Sequence, residues 1–228
     1  MKSGKPNSFF RSLKITTFTV GILWLVHLFQ FLSYFDLGHL GIFPRTDFGL
    51  KGILFSPWIH GSWAHLFSNT PPLFVLMTLI LYFYPRISFP AIFLIYFLTG
   101  SFVWIFGRQV FHIGASGVLY GFVAFVFFLG IFRRNIRSVA LSVLIGFYYG
   151  SMIFGLFPGQ EGISWESHLL GAISGVITAF LFKNTEEEED FNERKRKELF
   201  EKQEKEFFFP RETFDQPQQK EGWFQNRT

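Results

Sequence analysis

The sequence contains no cysteine, which excludes disulfides, thiolate metal sites and a cysteine nucleophile. Acidic residues are nearly as scarce over the first 183 positions, where only Asp36, Asp47, Glu161 and Glu166 occur. None of them lies within an apolar segment of the chain, so a buried Ser-His-Asp triad is not expected. There is no His-Glu-x-x-His pattern, and His60 and His65 lack a third partner for zinc, so no metal and no cofactor is expected. No convincing internal repeat is found of the kind that builds transporters.

Apolar and aromatic residues are abundant instead. Of 228 residues 49% are hydrophobic and 21% aromatic, and Phe alone occurs 35 times. A soluble domain of this length rarely carries so much Phe, which points to an all-α membrane protein. The net charge of +4 hides a split: residues 1–183 carry a net +8 and residues 184–228 a net −4. The basic residues sit at the ends of apolar runs and not on one element, so a nucleic-acid partner is not expected and a lipid bilayer is.

Six apolar segments can be drawn: Ile15–Phe35, His65–Tyr84, Phe89–Phe106, Ser116–Phe132, Val139–Phe157 and His168–Phe182. The basic start (Lys2, Lys5, Arg11, Lys14) precedes an apolar run long enough to span, which reads as a first transmembrane helix and not a cleaved signal. A long loop, 36–64, separates the first two segments; loops of that length are usually functional. Basic residues at the N-terminus, at Arg86, at Arg133-Arg134-Arg137 and at Lys183 alternate as six spans with both termini in the cytoplasm require. The expected organisation is a basic cytosolic stretch, 1–14, a six-helix domain, 15–183, and a charged cytosolic tail, 184–228, partly helical or disordered. Phe207-Phe208-Phe209 in that tail is a candidate membrane contact. A compact six-helix core without a transit peptide fits a bacterial plasma (inner) membrane.

The second, fourth and sixth segments then run from outside to inside. Asn69 lies 17 residues before Arg86, Ser116 17 before Arg133, and His168 15 before Lys183. At about 1.5 Å per residue, each polar group stands roughly 22–26 Å above the cytosolic boundary. Three costly polar sites therefore share one level in a core about 30 Å thick. The fourth and sixth segments look too short to span alone, so loop 107–115 is expected to dip into the protein to reach Ser116.

Each site has a bland reading when taken alone. Gly114-Ala115-Ser116-Gly117 resembles an ordinary small-residue packing motif, His168 an interfacial histidine, and His65 with Asn69 a pair of helix-stabilising contacts. Together they read as one chemistry. Gly171 and Gly175 share a helix face with His168, and Gly117 and Gly121 share one with Ser116. If these smooth faces meet, His168 comes within reach of the Ser116 hydroxyl as its base. Tyr120, one turn below Ser116, can then set its ring against the imidazole. His65, Asn69 and the Ser116 backbone N–H are candidate oxyanion donors.

His60-Gly-Ser-Trp-Ala-His65-Leu-Phe-Ser-Asn69, Gly114-Ala115-Ser116-Gly117-Val-Leu-Tyr120-Gly121 and His168-Leu-Leu-Gly171-Ala-Ile-Ser-Gly175 resemble, over about residues 15–183, the rhomboid family of intramembrane serine proteases. The resemblance implies a six-transmembrane-helix rhomboid-like bundle. It implies Ser116 as nucleophile, His168 as base, His65 and Asn69 as oxyanion helpers, and Tyr120 stacked on His168. It further implies transmembrane protein substrates, cleaved after a small residue, and a gate formed by the fifth helix and its following loop, which Phe147, Tyr148, Tyr149 and Phe154 suit. Catalytically dead relatives that bind membrane clients usually lack the serine or histidine; both are present here. Many bacterial members carry a Trp-Arg pair in the first outside loop, where this chain reads Gly49-Leu50-Lys51-Gly52-Ile53.

Overall fold

The computed structural model describes residues 6–159 and 164–207. Residues 160–163 of the loop expected to be the last outside one, and Phe208 and Phe209 of the candidate membrane contact, lie outside the described residues. Eight α-helices form among the described residues: α1 (Pro6–Ser33), α2 (Gly52–Phe55), α3 (Trp63–Phe83), α4 (Ser88–Phe106), α5 (Ser116–Arg133), α6 (Ile136–Tyr149), α7 (Trp165–Phe182) and α8 (Glu188–Phe207). No strand forms among them; one isolated antiparallel bridge pairs Ile42 with His112. The chain divides into two units between Glu187 and Glu188.

Six helical segments are long and apolar enough to cross a membrane, and the protein is an all-α, multi-pass membrane protein. They are Phe9–Ser33, Trp63–Phe83, Ser88–Phe106, Ser116–Arg133, Ile136–Leu156 and Trp165–Phe182. Most boundaries differ from the hydropathy reading by one to three residues, and the first span starts at Phe9, not Ile15. The sixth span starts at Trp165, not His168, because Ser164 caps it by accepting from the Ser167 N–H, and because Glu166 in its first turn is neutralised by Arg108. At 18 residues, α5 and α7 each reach about 27 Å, so neither is as short as their sequence suggested. The fifth span is α-helical only to Tyr149; residues Gly150–Leu156 tighten into a 3-10 turn.

α5 is the centre of the bundle, with Leu119, Phe122, Phe125, Val126 and Leu129 all buried. It packs most extensively on α7, and the reason is visible in the glycines. A Cβ at Gly171 would overlap the Gly117 carbonyl oxygen, and one at Gly175 would overlap that of Gly121. Backbone therefore meets backbone, as small residues permit in membrane helices. α3 departs from ordinary helix chemistry by carrying Pro71 and Pro72 in its interior, each at a cost of about 3 kcal/mol relative to alanine.

The loop between α1 and α3 is built without a Trp-Arg pair. Arg45 donates to the carbonyls of Ile105 and Gly107 at 3.1 and 2.8 Å, and Trp104 Nε1 donates to the Thr46 carbonyl at 2.9 Å. Trp58 Nε1 donates to the Tyr96 hydroxyl at 2.9 Å, and that hydroxyl donates to the Leu54 carbonyl. The loop is thus fixed to α4 at two levels.

Candidate active site

Loop 107–115 does not dip into the protein along its whole length: 108–111 are exposed, and only the stretch from His112 to Ala115 is anchored beside Ser116. The His112 backbone pairs with Ile42 in both directions at 3.0 and 2.9 Å, and the Gly114 N–H donates to the Ser56 carbonyl at 2.9 Å. Gly114 has φ +102°, a region that favours glycine. A side chain there would also strike the His65 ring, coming 2.5 Å from Cε1 and 2.7 Å from Nε2. The glycine thus lets the Ser116 loop lie flat against His65.

Ser116 is the first residue of α5, so its backbone N–H has no intrahelical acceptor. Its Oγ lies 2.9 Å from His168 Nε2. The other ring nitrogen, Nδ1, lies 3.0 Å from the Gly155 carbonyl oxygen. A carbonyl only accepts, so Nδ1 carries the proton and Nε2 is left bare to accept from the serine hydroxyl. The Tyr120 ring stacks on the imidazole with centroids 4.1 Å apart and planes 10° from parallel. The Tyr120 hydroxyl donates to the Met152 carbonyl at 2.8 Å. Both orienting carbonyls come from the 3-10 turn after α6, which sequence reasoning had assigned to a continuous fifth helix. Main-chain acceptors leave no residue signature; Gly150 and Gly155 were the available signal for a change of backbone.

His65 and Asn69 are one turn apart on α3 and face the same cavity as Ser116 and His168, a space of about 880 Å³. Asn69 is buried, and its Nδ2 has no acceptor. A donor withheld from the protein's own groups is costly unless something else takes it up. His60 packs edge-on against His65, with centroids 4.9 Å apart. It is fully buried, and burial foremost, then its neighbours His65 and His27, push its pKa down to about 3. It is a neutral support for the His65 ring. Phe147, Tyr148 and Phe154 are largely exposed, and Tyr148 and Tyr149 line the cavity opposite α3. Among the described residues no group of three or more His, Cys, Asp or Glu is arranged to hold a metal ion.

One cluster had no counterpart in the sequence reading. His112 Nε2 donates to the Arg108 carbonyl at 2.9 Å, so its Nδ1 accepts, from the Ser164 hydroxyl at 2.6 Å. Ser164 Oγ also meets Ser167 Oγ at 2.7 Å, and Arg108 pairs through two nitrogens with Glu166. Burial pushes the His112 pKa down, which favours this neutral arrangement. The cluster ties the loop that delivers Ser116 to the helix start that delivers His168. His112 precedes Ser116 by four residues, and that proximity was the signal available.

A family model described as the Rhomboid domain matches residues 48–185. Uncharacterized proteins of Mycobacterium tuberculosis and Mycobacterium bovis are 37% identical over 181 residues, covering 75% of this chain and 75% of each of theirs. One from Mycobacterium leprae is 36% identical over 182 residues, covering 75% of this chain and 71% of its own. The family model and the six-span all-helical fold agree: the chain belongs to the rhomboid family.

Proposed function

We propose that the protein is an intramembrane serine endopeptidase that cleaves transmembrane or juxtamembrane segments of other membrane proteins with a Ser116–His168 dyad. The observation that carries this reading is the hydrogen-bond chain Ser116 Oγ–His168 Nε2, with Nδ1 committed to the Gly155 carbonyl. In the reaction, Ser116 Oγ attacks the scissile carbonyl carbon while its proton passes to Nε2. The resulting oxyanion is met by the Ser116 N–H, the Asn69 amide and the His65 ring. Nε2 then returns the proton to the leaving amine, and an acyl-Ser116 ester remains. Water, activated by the same Nε2, hydrolyses that ester. Tyr120 holds the imidazole plane throughout. Gly117, Gly121, Gly171 and Gly175 bring the two helices close enough for the dyad to form. The reaction calls for no metal and no cofactor.

The same reading orients the chain in a bacterial plasma membrane with both termini in the cytoplasm. Residues 1–14 are then the basic cytosolic N-terminus, 15–183 the protease domain, and 184–228 a charged cytosolic tail. The test is cleavage of a transmembrane model substrate, together with fluorophosphonate labelling, by wild type, Ser116→Ala and His168→Ala. Both variants should lose both activities. Cleavage that persists in Ser116→Ala would sink the dyad. A wild type that retains substrates in pull-downs without labelling or cleaving would instead identify an inactive, client-binding rhomboid.

A further inference from the structure

The tandem Pro71-Pro72 inside α3 has a consequence for one atom. In an α-helix the Ser68 carbonyl accepts from residue 72, and in a tightened 3-10 turn from residue 71. Both are proline and neither has an N–H. The pair therefore denies Ser68 both helical donors, which a single proline does not do; the Phe67 carbonyl keeps Thr70 as a 3-10 donor. In membrane helices nearby hydroxyls often relieve such a carbonyl. Here they are committed elsewhere. Ser68 Oγ donates to the His65 carbonyl at 2.9 Å, and Thr70 Oγ1 to the Leu66 carbonyl at 2.8 Å.

The orphaned carbonyl is not at an indifferent place. Ser68, Asn69, Pro71 and Pro72 all line the cavity that holds Ser116 and His168. Asn69 Nδ2, next in the chain, is a buried donor without an acceptor. This wall thus offers an acceptor without a helical donor beside a buried donor without an acceptor. An extended polypeptide carries the matching set, since each residue brings one N–H and one C=O.

We propose that the Ser68 carbonyl is a docking acceptor for a backbone N–H of the extended polypeptide segment that occupies the cavity. The inference rests on the protease reading of that cavity and deepens it. Recognition of this kind reads main chain, as strand addition does. It discriminates against a segment that is still helical, because the N–H groups within a helix are already engaged. The two prolines are retained, on this account, because they keep the acceptor free.

The test uses the full-length protein in lipid nanodiscs and a transmembrane peptide substrate with single N-methyl amides scanned through the cleaved segment. Pro72→Ala returns an N–H that engages the Ser68 carbonyl within α3, and alanine favours the helix. Fluorophosphonate titration of Ser116 counts intact sites, and rates are expressed per intact site. Pro72→Ala should raise KM about three- to tenfold, the range of one net hydrogen bond, with a smaller change in kcat. In wild type one N-methyl position should raise KM by a similar factor, and that penalty should vanish in Pro72→Ala. Pro71→Ala, which returns only the tighter 3-10 donor to Ser68, should lessen the penalty without abolishing it. Equal KM for wild type and Pro72→Ala, or one N-methyl profile shared by both, overturns the docking role and leaves the protease reading standing. A wild type that neither labels nor cleaves overturns both.

Discussion

Gly175→Ala sets two effects of opposite sign against each other. Alanine is the better helix former by about 1 kcal/mol in a helix interior, and an exposed glycine would gain that much. Gly175 faces α5 instead. A methyl group there would overlap the Gly121 carbonyl oxygen and sit 2.9 Å from both the Gly121 carbonyl carbon and the Phe125 nitrogen. Carbon and oxygen settle no closer than about 3.3 Å, so relieving the overlap with the Gly121 oxygen parts the helices by roughly 1 Å or more. Every blocking atom is backbone and cannot rotate aside. Overpacking of this kind costs about 1–3 kcal/mol, which outweighs the gain in propensity. The separation also reaches the dyad, about 10 Å higher on α7, where Ser116 Oγ and His168 Nε2 are 2.9 Å apart. Misplacement by about 1 Å costs about 10²-fold in rate. The assay is the second-order rate of Ser116 labelling by a fluorophosphonate, with thermal unfolding in the same detergent. Gly175→Ala should label about 10- to 100-fold more slowly and melt lower. Gly21→Ala in α1, where a methyl group meets nothing within 4 Å, should label at the wild-type rate and melt no lower. Should Gly175→Ala label as fast as wild type and melt higher, helix propensity governs and the close-packed α5–α7 seam does not position the dyad.

Asn69→Ala should lower kcat for a transmembrane substrate by about 10²–10³-fold without abolishing expression; an unchanged kcat removes Asn69 from the oxyanion site. His112→Ala and Ser164→Ala should each slow labelling per intact site, and the double variant should be no slower than the worse single one, because both break the same link; simple additivity would mean that they act separately. Acid should destabilise the protein through His60. Its unfolded form takes up a proton as pH falls through about 6.5, whereas the folded form resists until about 3. Stability is then complete above 6.5 and is lost as pH drops toward 3, by up to about 1.4 kcal/mol per pH unit. Melting midpoints between pH 7.5 and 4.5 should fall in wild type and fall less steeply in His60→Leu; parallel slopes would assign the acid sensitivity to another group.

The elements most legible in the sequence were those whose physics is written in side chains. Six apolar runs bounded by basic residues announced six spans, and the glycines spaced around Ser116 and His168 announced the close seam between α5 and α7. Where the backbone itself does the work, the sequence was quieter. The run Val139–Phe157 is uniformly apolar, and hydropathy measures its length but not the switch to a 3-10 turn at Gly150. Glu166 looked like an end marker because it is charged. Its pairing with Arg108, 58 residues earlier, let the helix begin before it. The missing Trp-Arg pair left the first loop without a visible support, and the support came from Arg45 and Trp104, which lie far apart in sequence and close in space.

The want of a carboxylate beside His168 follows from where the histidine sits. An ionised acid within the bilayer is expensive unless it is paired, and a pairing cation would compete with the imidazole for it. The Gly155 carbonyl performs the orienting part of an acid's role, fixing the proton on Nδ1, without bringing a charge. In the proposed mechanism it would not offer an acid's stabilisation of the imidazolium formed when Ser116 gives up its proton. The stacked Tyr120 ring is the group positioned to supply part of that, since its face attracts a cation held against it. The Met152 carbonyl in turn fixes Tyr120, so both supports of the imidazole hang from one short 3-10 turn. A displacement of Gly150–Leu156 would therefore release the tautomer and the stacking together, which makes this turn, beside the α5–α7 seam, a second element on which the Ser116–His168 pairing depends.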